Sequence, residues 1–142
     1  MWPLRDPTDP HEWLRRARSN LARAKADRGL PEILYEDLCF DAQQAAEKAI
    51  KAILVQRQIP FPKTHRITEL LRLAESTGVT VPQPVKDAGS LSQYASETRY
   101  PGASERVSGD EYAQAVVVAE RAVRWAEEVV GGAQRSASDE KM

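Results

Sequence analysis

Apolar residues recur at intervals of three and four along most of the chain, and this spacing predicts amphipathic helices. The first run consists of Trp13, Leu14, Ala17, Leu21 and Ala24. Asp9 is a predicted cap, with Pro10 at the first helical position and Glu12 three residues after the cap. Gly29 supplies the left-handed turn that ends a helix. The pattern therefore predicts a first helix from about Pro10 to Gly29.

A second helix is predicted from about Pro31 or Ile33 to Gln58, after which two prolines stop it. Its apolar stripe consists of Leu38, Ala42, Ala45, Ala49 and Ile53. Because alanine side chains are small, another helix can lie close to this stripe. The polar positions of this second helix are Gln43, Gln44, Glu47, Lys48 and Lys51. The pair Glu47 and Lys51 is favourably oriented, and we expect it to contribute only about 0.3 kcal/mol.

Two shorter helices should follow. Thr64 is the predicted cap of the third helix, which ends at Gly78 and has Ile67, Leu70, Leu71 and Ala74 on its inner face. The fourth should begin near Pro84 and stop before Pro101. Its inward positions are Val85, Ala88, Leu91 and Ala95.

The fifth helix should begin at Ser108, because Glu111 stands three residues later and completes a capping box. Its apolar stripe is Tyr112, Ala115, Val116, Ala119, Val123, Ala126 and Val130. No segment alternates with a period of two over the length of a strand. The predicted fold is therefore all-α, an up-and-down bundle of four to five helices with short connections.

The length of 142 residues fits one domain. We assign residues 1–9 to an N-terminal extension, residues 10–130 to the helical domain and residues 131–142 to a disordered tail. Apolar residues are 42% and charged residues 29% of the chain, as in an ordinary soluble protein. Neither a membrane span nor the hydrophobic part of a signal peptide is visible, so we expect a cytoplasmic protein.

The net charge of -1 gives no global attraction to nucleic acid, so any phosphate recognition needs a local cluster of cations. One basic face lies on the first helix, and it fits either a solvated face or a stripe that faces RNA. Its members are Arg15, Arg16, Arg18, Arg23 and Lys25.

The chain carries few residues for metal, thiol or nucleophilic chemistry. Cys39 is the single cysteine, which excludes an intrachain disulfide, and its apolar context predicts a buried and unreactive thiol. Asp37 and Asp41 lie one helical turn apart, but no histidine or further carboxylate stands at ligand spacing. His11 is expected on the surface. No metal, cofactor or glycine-rich phosphate loop is predicted.

A candidate phosphate site follows from the topology. In an up-and-down bundle, alternate connections lie at the same end, so the connection before helix three should lie beside the connection before helix five. Helix N-termini at that end add positive dipole ends. The predicted phosphate-binding residues are Lys63, Thr64, His65, Arg99, Tyr100 and Arg106. In the alternative, purely structural interpretation, Arg99 pairs with Glu97 or Glu105, Thr64 only caps a helix, and His65 binds the backbone.

Three stretches together resemble the HEPN domain family. They are the sequence Asp41–Ala52, the pair Thr64 and His65 after a proline-bearing loop, and the sequence Glu97–Gly102. The similarity covers about 10–130. It implies a compact helical bundle that pairs as a homodimer, through faces of the second and fourth helices. It also implies a minimal nucleotidyltransferase as partner, in a toxin–antitoxin type of pair.

Many members of that family are metal-independent ribonucleases, and the resemblance implies an active site made of an arginine followed four to six residues later by a histidine. Arg99 matches the arginine. The positions for histidine hold Ser104, Glu105 and Arg106, and none of these can replace an imidazole in both proton transfers. We therefore expect little or no ribonuclease activity by the usual mechanism.

Two functions remain from the sequence. The first is a non-enzymatic module that binds a nucleotide or RNA and a protein partner. The second is a ribonuclease in which His65 is a relocated catalytic histidine, acting with Arg99. A purely structural helical interaction module is a third interpretation of the same residues.

Overall fold

The computed structural model describes residues 6–26, 29–95 and 106–140, with side chains up to residue 132. Over these ranges the protein forms five α-helices and one 3-10 helix, without a strand. They are α1 (Pro10–Lys25), α2 (Tyr35–Gln56), α3 (Ile67–Ser76), α4 (Gln83–Lys86), the 3-10 helix Asp87–Ala95, and α5 (Gly109–Glu140). This architecture confirms the predicted all-α bundle.

Helix α2 is the centre of the bundle and packs against α1, α3, α5 and the 3-10 helix. Its fully buried alanines are Ala42, Ala45, Ala46, Ala49 and Ala52. Ile50, Ile53 and Leu54 are equally buried, and each contributes about 1.5–3 kcal/mol through the apolar surface removed from water. The alanine surface is thus used within one chain. Pairing of two chains through faces of α2 and of the predicted fourth helix stays a prediction.

The start of α1 agrees with its prediction. Asp9 is the N-cap, and its Oδ1 accepts a hydrogen bond of 2.9 Å from the backbone N–H of His11. Glu12 does not close a capping box, because its carboxylate accepts hydrogen bonds from Arg15 at 2.9 Å and from Arg16 at 3.0 Å. The side chain of Asp9 therefore caps the start of α1 without a reciprocal bond from Glu12.

The basic face of α1 is largely paired with acidic residues. Arg18 bridges to Glu127 of α5 at 3.3 Å, and Lys25 bridges to Glu120 of α5 at 2.9 Å. These pairs join α1 to α5. They favour the structural interpretation of this face over a stripe that faces RNA.

The boundaries of α2 and α3 differ from those expected. Helix α2 begins at Tyr35, after Leu34, whose side chain makes no capping bond. Helix α3 begins at Ile67 with Arg66 as its N-cap, so the assignment of Thr64 as the cap was wrong. Ser92 of the 3-10 helix takes that role, because its Oγ accepts a hydrogen bond of 3.0 Å from the Ile67 N–H.

The predicted fourth helix is mostly a 3-10 helix that rests closely on α3. A Cβ atom added at Gly89 would fall inside contact distance of the Thr68 hydroxyl oxygen. Only glycine fits there without displacement of Thr68. The predicted end of this helix at Pro101 lies outside the described residues.

Ser108 caps α5 as expected, since its Oγ accepts a hydrogen bond of 3.1 Å from the Glu111 N–H. The Glu111 carboxylate instead accepts a hydrogen bond from the Tyr94 hydroxyl. The helix continues past the predicted end at Val130, through two glycines, to Glu140. The disordered tail over 131–142 and the domain limits remain predictions, which amide exchange would test.

Candidate functional site

The connection between α2 and α3 runs back along α2 and covers its polar side. The ring of Phe61 meets the ring of Trp13 edge-on, with centroids 6.1 Å apart. Further along, the carbonyl oxygen of His65 lies 3.4 Å from the amide nitrogen of Gln43. His65 therefore sits beside the middle of α2 and not at the end of the bundle.

Glu47 is the centre of a buried polar network at this point. Only 5% of its side chain is exposed, and its two oxygens accept hydrogen bonds from Lys51 at 2.9 Å and from Gln43 at 2.8 Å. Nδ1 of His65 lies 2.9 Å from the same carboxylate. Although burial favours the neutral acid, the hydrogen bonds from Lys51, Gln43 and His65 hold the pKa of Glu47 below its ordinary value.

Burial changes the expected strength of the pair between Glu47 and Lys51. The Lys51 side chain is only 12% exposed, and its Nζ lies 5.3 Å from the ring centroid of Phe61. From the sequence alone, the pair was expected to contribute only about 0.3 kcal/mol. Since the returning connection covers them, each charge depends on the other for compensation.

The imidazole of His65 faces solvent while it contacts this buried carboxylate. Its side chain is 66% exposed. Because Nδ1 is directed at Glu47, Nε2 lies on the other side of the ring. A carboxylate that fixes one ring nitrogen of a histidine orients the other nitrogen toward a ligand.

Exposed cations continue from this histidine onto α3. Lys63, Arg66 and Arg72 are exposed, and no acidic side chain of the described ranges forms an ion pair with them. A groove of about 430 Å³ lies there, lined by Arg66, Thr68, Glu69 and Arg72. We call Lys63, His65, Arg66 and Arg72 the basic surface of α3.

One acidic side chain lies within the basic surface of α3. Glu69 accepts a hydrogen bond of 3.2 Å from the Thr64 hydroxyl, and Thr64 Oγ1 accepts a hydrogen bond from the Arg66 N–H at 3.1 Å. Thr64 thus shapes the connection before α3. Glu69 balances only part of the positive charge.

The predicted phosphate residues are only partly brought together. Lys63, Thr64 and His65 lie on one connection, and Arg106 is exposed just before α5. The N–H of Val107 donates a hydrogen bond of 3.1 Å to Glu36, near the start of α2. Glu36 and Glu47 are separated by about 16 Å along the helix axis, at the usual rise per residue. Arg106 therefore lies near the start of α2, whereas His65 lies beside the middle of that helix.

Arg99 and Tyr100 lie outside the described residues. The described chain before them ends at Ala95, close to Ser92, which contacts the first residue of α3. The N-terminus of α3 is not open to an anion at Ile67, since Ser92 occupies that donor.

Sequence reasoning missed Glu47, Gln43 and Arg72 as parts of this region. The available signal was in the connection, where the apolar residues Ile59 and Phe61 each precede a proline. Both pack against the core, and that packing forces the connection back over α2.

Cys39 is buried, as expected. Burial, together with the nearby carboxylates of Glu111 and Glu36, raises the pKa of its thiol to about 12. The thiolate is therefore scarce at neutral pH. In the described ranges, no group of three His, Cys, Asp or Glu is placed to hold a metal ion, and no helix there is both long and apolar enough to cross a membrane.

The comparisons with known proteins agree with this fold. The model of the HEPN domain matches residues 10–129. The crystal structure of TT1696 from Thermus thermophilus has a TM-score of 0.69 and 31% identity, over 84% of this chain and 97% of that chain. The crystal structure of ST0689, an archaeal HEPN homologue, has a TM-score of 0.64 and 24% identity, over 84% of this chain and 95% of that chain. No curated protein matches.

The chain belongs to the HEPN domain family, since the family model spans nearly all of its helical core.

Proposed function

We propose that this HEPN protein is a non-enzymatic module that binds a nucleotide or RNA through the basic surface of α3. The observation that supports this most directly is that Lys63, Arg66 and Arg72 form no ion pair with a described acidic side chain, in a chain of net charge -1. Uncompensated cations beside a groove attract phosphate, and arginine matches its oxygens with a planar fork. We also propose that Arg99 and Tyr100, which lie outside the described residues, contribute to phosphate binding together with Thr64, whereas Arg106 lies near the start of α2 and away from His65.

Binding of nucleotides and short RNA at low salt tests this proposal. Replacement of Arg66 and Arg72 by alanine, or Arg99→Ala, should each weaken binding about tenfold, because charge-assisted hydrogen bonds are lost. Added salt should weaken binding as well. Arg18→Ala is the matched control, since Arg18 pairs with Glu127 on another face of the bundle. Calorimetry that finds no binding, or equal losses for Arg18→Ala, would refute the basic surface as the site.

A second candidate is a metal-independent ribonuclease, and the contact between His65 and Glu47 favours it. The carboxylate holds Nδ1, which would leave Nε2 to act as a base or an acid toward RNA. The family position after Arg99 lacks histidine, so His65 would have to take that role.

Digestion of RNA in the presence of EDTA separates the two candidates. Cleavage by the wild type that is lost in both His65→Ala and Arg99→Ala would establish the ribonuclease. Glu47→Gln should then shift the pH profile of cleavage, since it alters the group that orients His65. Absence of cleavage at high enzyme concentration favours the binding module.

We further propose a minimal nucleotidyltransferase as protein partner, in a toxin–antitoxin type of pair in the cytoplasm. Family membership supports this proposal, and co-expression with such an enzyme followed by gel filtration tests it. Homodimer formation is proposed on the same basis. Sedimentation at micromolar concentration should give the mass of two chains, and a monomer there would contradict it.

A further inference from the structure

A second groove lies between the start of α1 and the middle of α2. It has a volume of about 290 Å³ and is lined by Pro7, Glu12, Trp13, Arg16 and Lys48. None of these residues belongs to the basic surface of α3. The volume is at the low end of the range for ligand pockets, so only a small molecule fits.

The indole of Trp13 is a fixed wall of this groove. Its Nε1 donates a hydrogen bond of 2.8 Å to the carbonyl oxygen of Pro7, and its ring meets Phe61 edge-on at an angle of 83°. Both contacts hold the ring plane in place. A fixed, flat apolar face favours another planar ring.

Lys48 supplies a positive charge on one wall of this groove. Its Nζ donates a hydrogen bond of 2.7 Å to the side-chain oxygen of Asn20, and no described carboxylate forms an ion pair with it. The nearby carboxylates are engaged elsewhere, since Asp41 accepts from Asn20 at 3.2 Å and Glu47 accepts from Lys51. Burial, and then the charge of Arg16, lower the pKa of Lys48.

The remaining lining residues limit the charge of a ligand. Arg16 adds a second cation, and Glu12 adds one carboxylate, which Arg16 shares with Arg15. The carboxylate repels strongly charged phosphates. A single negative charge is therefore the best match to this lining.

We propose that this groove binds a small aromatic carboxylate, whose ring stacks on Trp13 and whose carboxylate is held by Lys48 and Arg16. The site is independent of the basic surface of α3, so either can fail without the other.

Titration with 2-naphthoate, followed by calorimetry and by the indole N–H signal of Trp13, tests this proposal. The wild type should bind, and 2-naphthalenemethanol, which has the same ring without the charge, should bind at least about tenfold more weakly. Lys48→Gln should lose about tenfold in affinity, because one charge-assisted hydrogen bond is removed. Arg66→Ala, on the basic surface of α3, should bind as the wild type does.

Glu12→Gln should change the affinity for 2-naphthoate in the opposite direction to Lys48→Gln. This second variant still tests the proposal if Lys48→Gln fails to fold. It removes the negative charge of the lining, so it should tighten binding of 2-naphthoate. The proposal is overturned if the wild type does not bind at millimolar concentration, if the neutral alcohol binds as well, or if Glu12→Gln weakens binding.

Discussion

Replacement of Lys51 by methionine should cost far more stability than an exposed ion pair of the same spacing would suggest. Methionine keeps most of the apolar stem that packs near Trp13 and Phe61. It removes the positive charge of Lys51, which compensates the negative charge of Glu47. Glu47 would then remain 5% exposed with Gln43 and His65 as its donors. The variant isolates the effect of an uncompensated buried carboxylate.

The magnitude follows from the burial of both partners. Loss of one partner of a buried ion pair costs about 3–5 kcal/mol, and loss of a cation that faces aromatic rings adds about 0.5–1 kcal/mol. Residual exposure and the two remaining donors reduce this sum, so we expect about 2–4 kcal/mol at pH 7. Arg124→Met is the matched control, because Arg124 pairs with Glu120 at 3.0 Å with the same spacing while 74% exposed. It should cost at most about 0.5 kcal/mol.

The dependence on pH checks the cause. The pKa of Glu47 is lowered from 4.5 in the folded protein, so its ionisation stabilises the fold above that value and the effect is lost as pH falls through the folded pKa. As the pH falls, protonation of the buried carboxylate removes its uncompensated charge from the variant, so the difference in stability between wild type and Lys51→Met should shrink in acid. Urea unfolding followed by circular dichroism measures both differences. Equal losses for Lys51→Met and Arg124→Met at pH 7 would refute the reasoning, as would a gap that does not narrow in acid.

Two further predictions concern α2 and α5. Cys39 should not react with a thiol reagent at pH 8 until urea unfolds the chain, because burial raises the pKa of its thiol to about 12; rapid labelling of the native protein would contradict this. Ser108→Ala should cost about 1 kcal/mol through loss of the cap on the Glu111 N–H, whereas Ser108→Asp should restore most of that loss, as measured by thermal unfolding. An unchanged midpoint for Ser108→Ala would mean that the cap is dispensable.

The sequence predicted the fold well where local chemistry decides it. Asp9 and Ser108 cap their helices because a side-chain oxygen satisfies a nearby backbone N–H, and this depends on a few neighbouring residues. Thr64 has the same chemistry but does not cap α3. Ser92, distant in sequence, supplies the oxygen instead, and no local rule contains that information.

The candidate site was harder to predict than the fold, because it depends on the path of one connection. Glu47 and Lys51 have the pattern of a solvated pair, and only the return of the chain past His65 buries them. Of the basic surface of α3, the sequence analysis had assigned Lys63 and His65 to the predicted phosphate site. Their distance from Arg106 follows from the attachment of Val107 to Glu36, which no periodicity predicts.

Because Gly89 lies so close to Thr68, the effect of a substitution at one of these positions depends on the residue at the other. Alanine at 89 requires the hydroxyl of Thr68 to leave its place, so Gly89→Ala alone should be poorly tolerated, whereas the same change together with Thr68→Ala removes the obstacle. A library that varies both positions should retain alanine at 89 mainly beside a smaller residue at 68. Since Thr68 also lines the groove together with Arg66 and Arg72, a change in the packing of the 3-10 helix would reshape the basic surface of α3 without altering any of its cations.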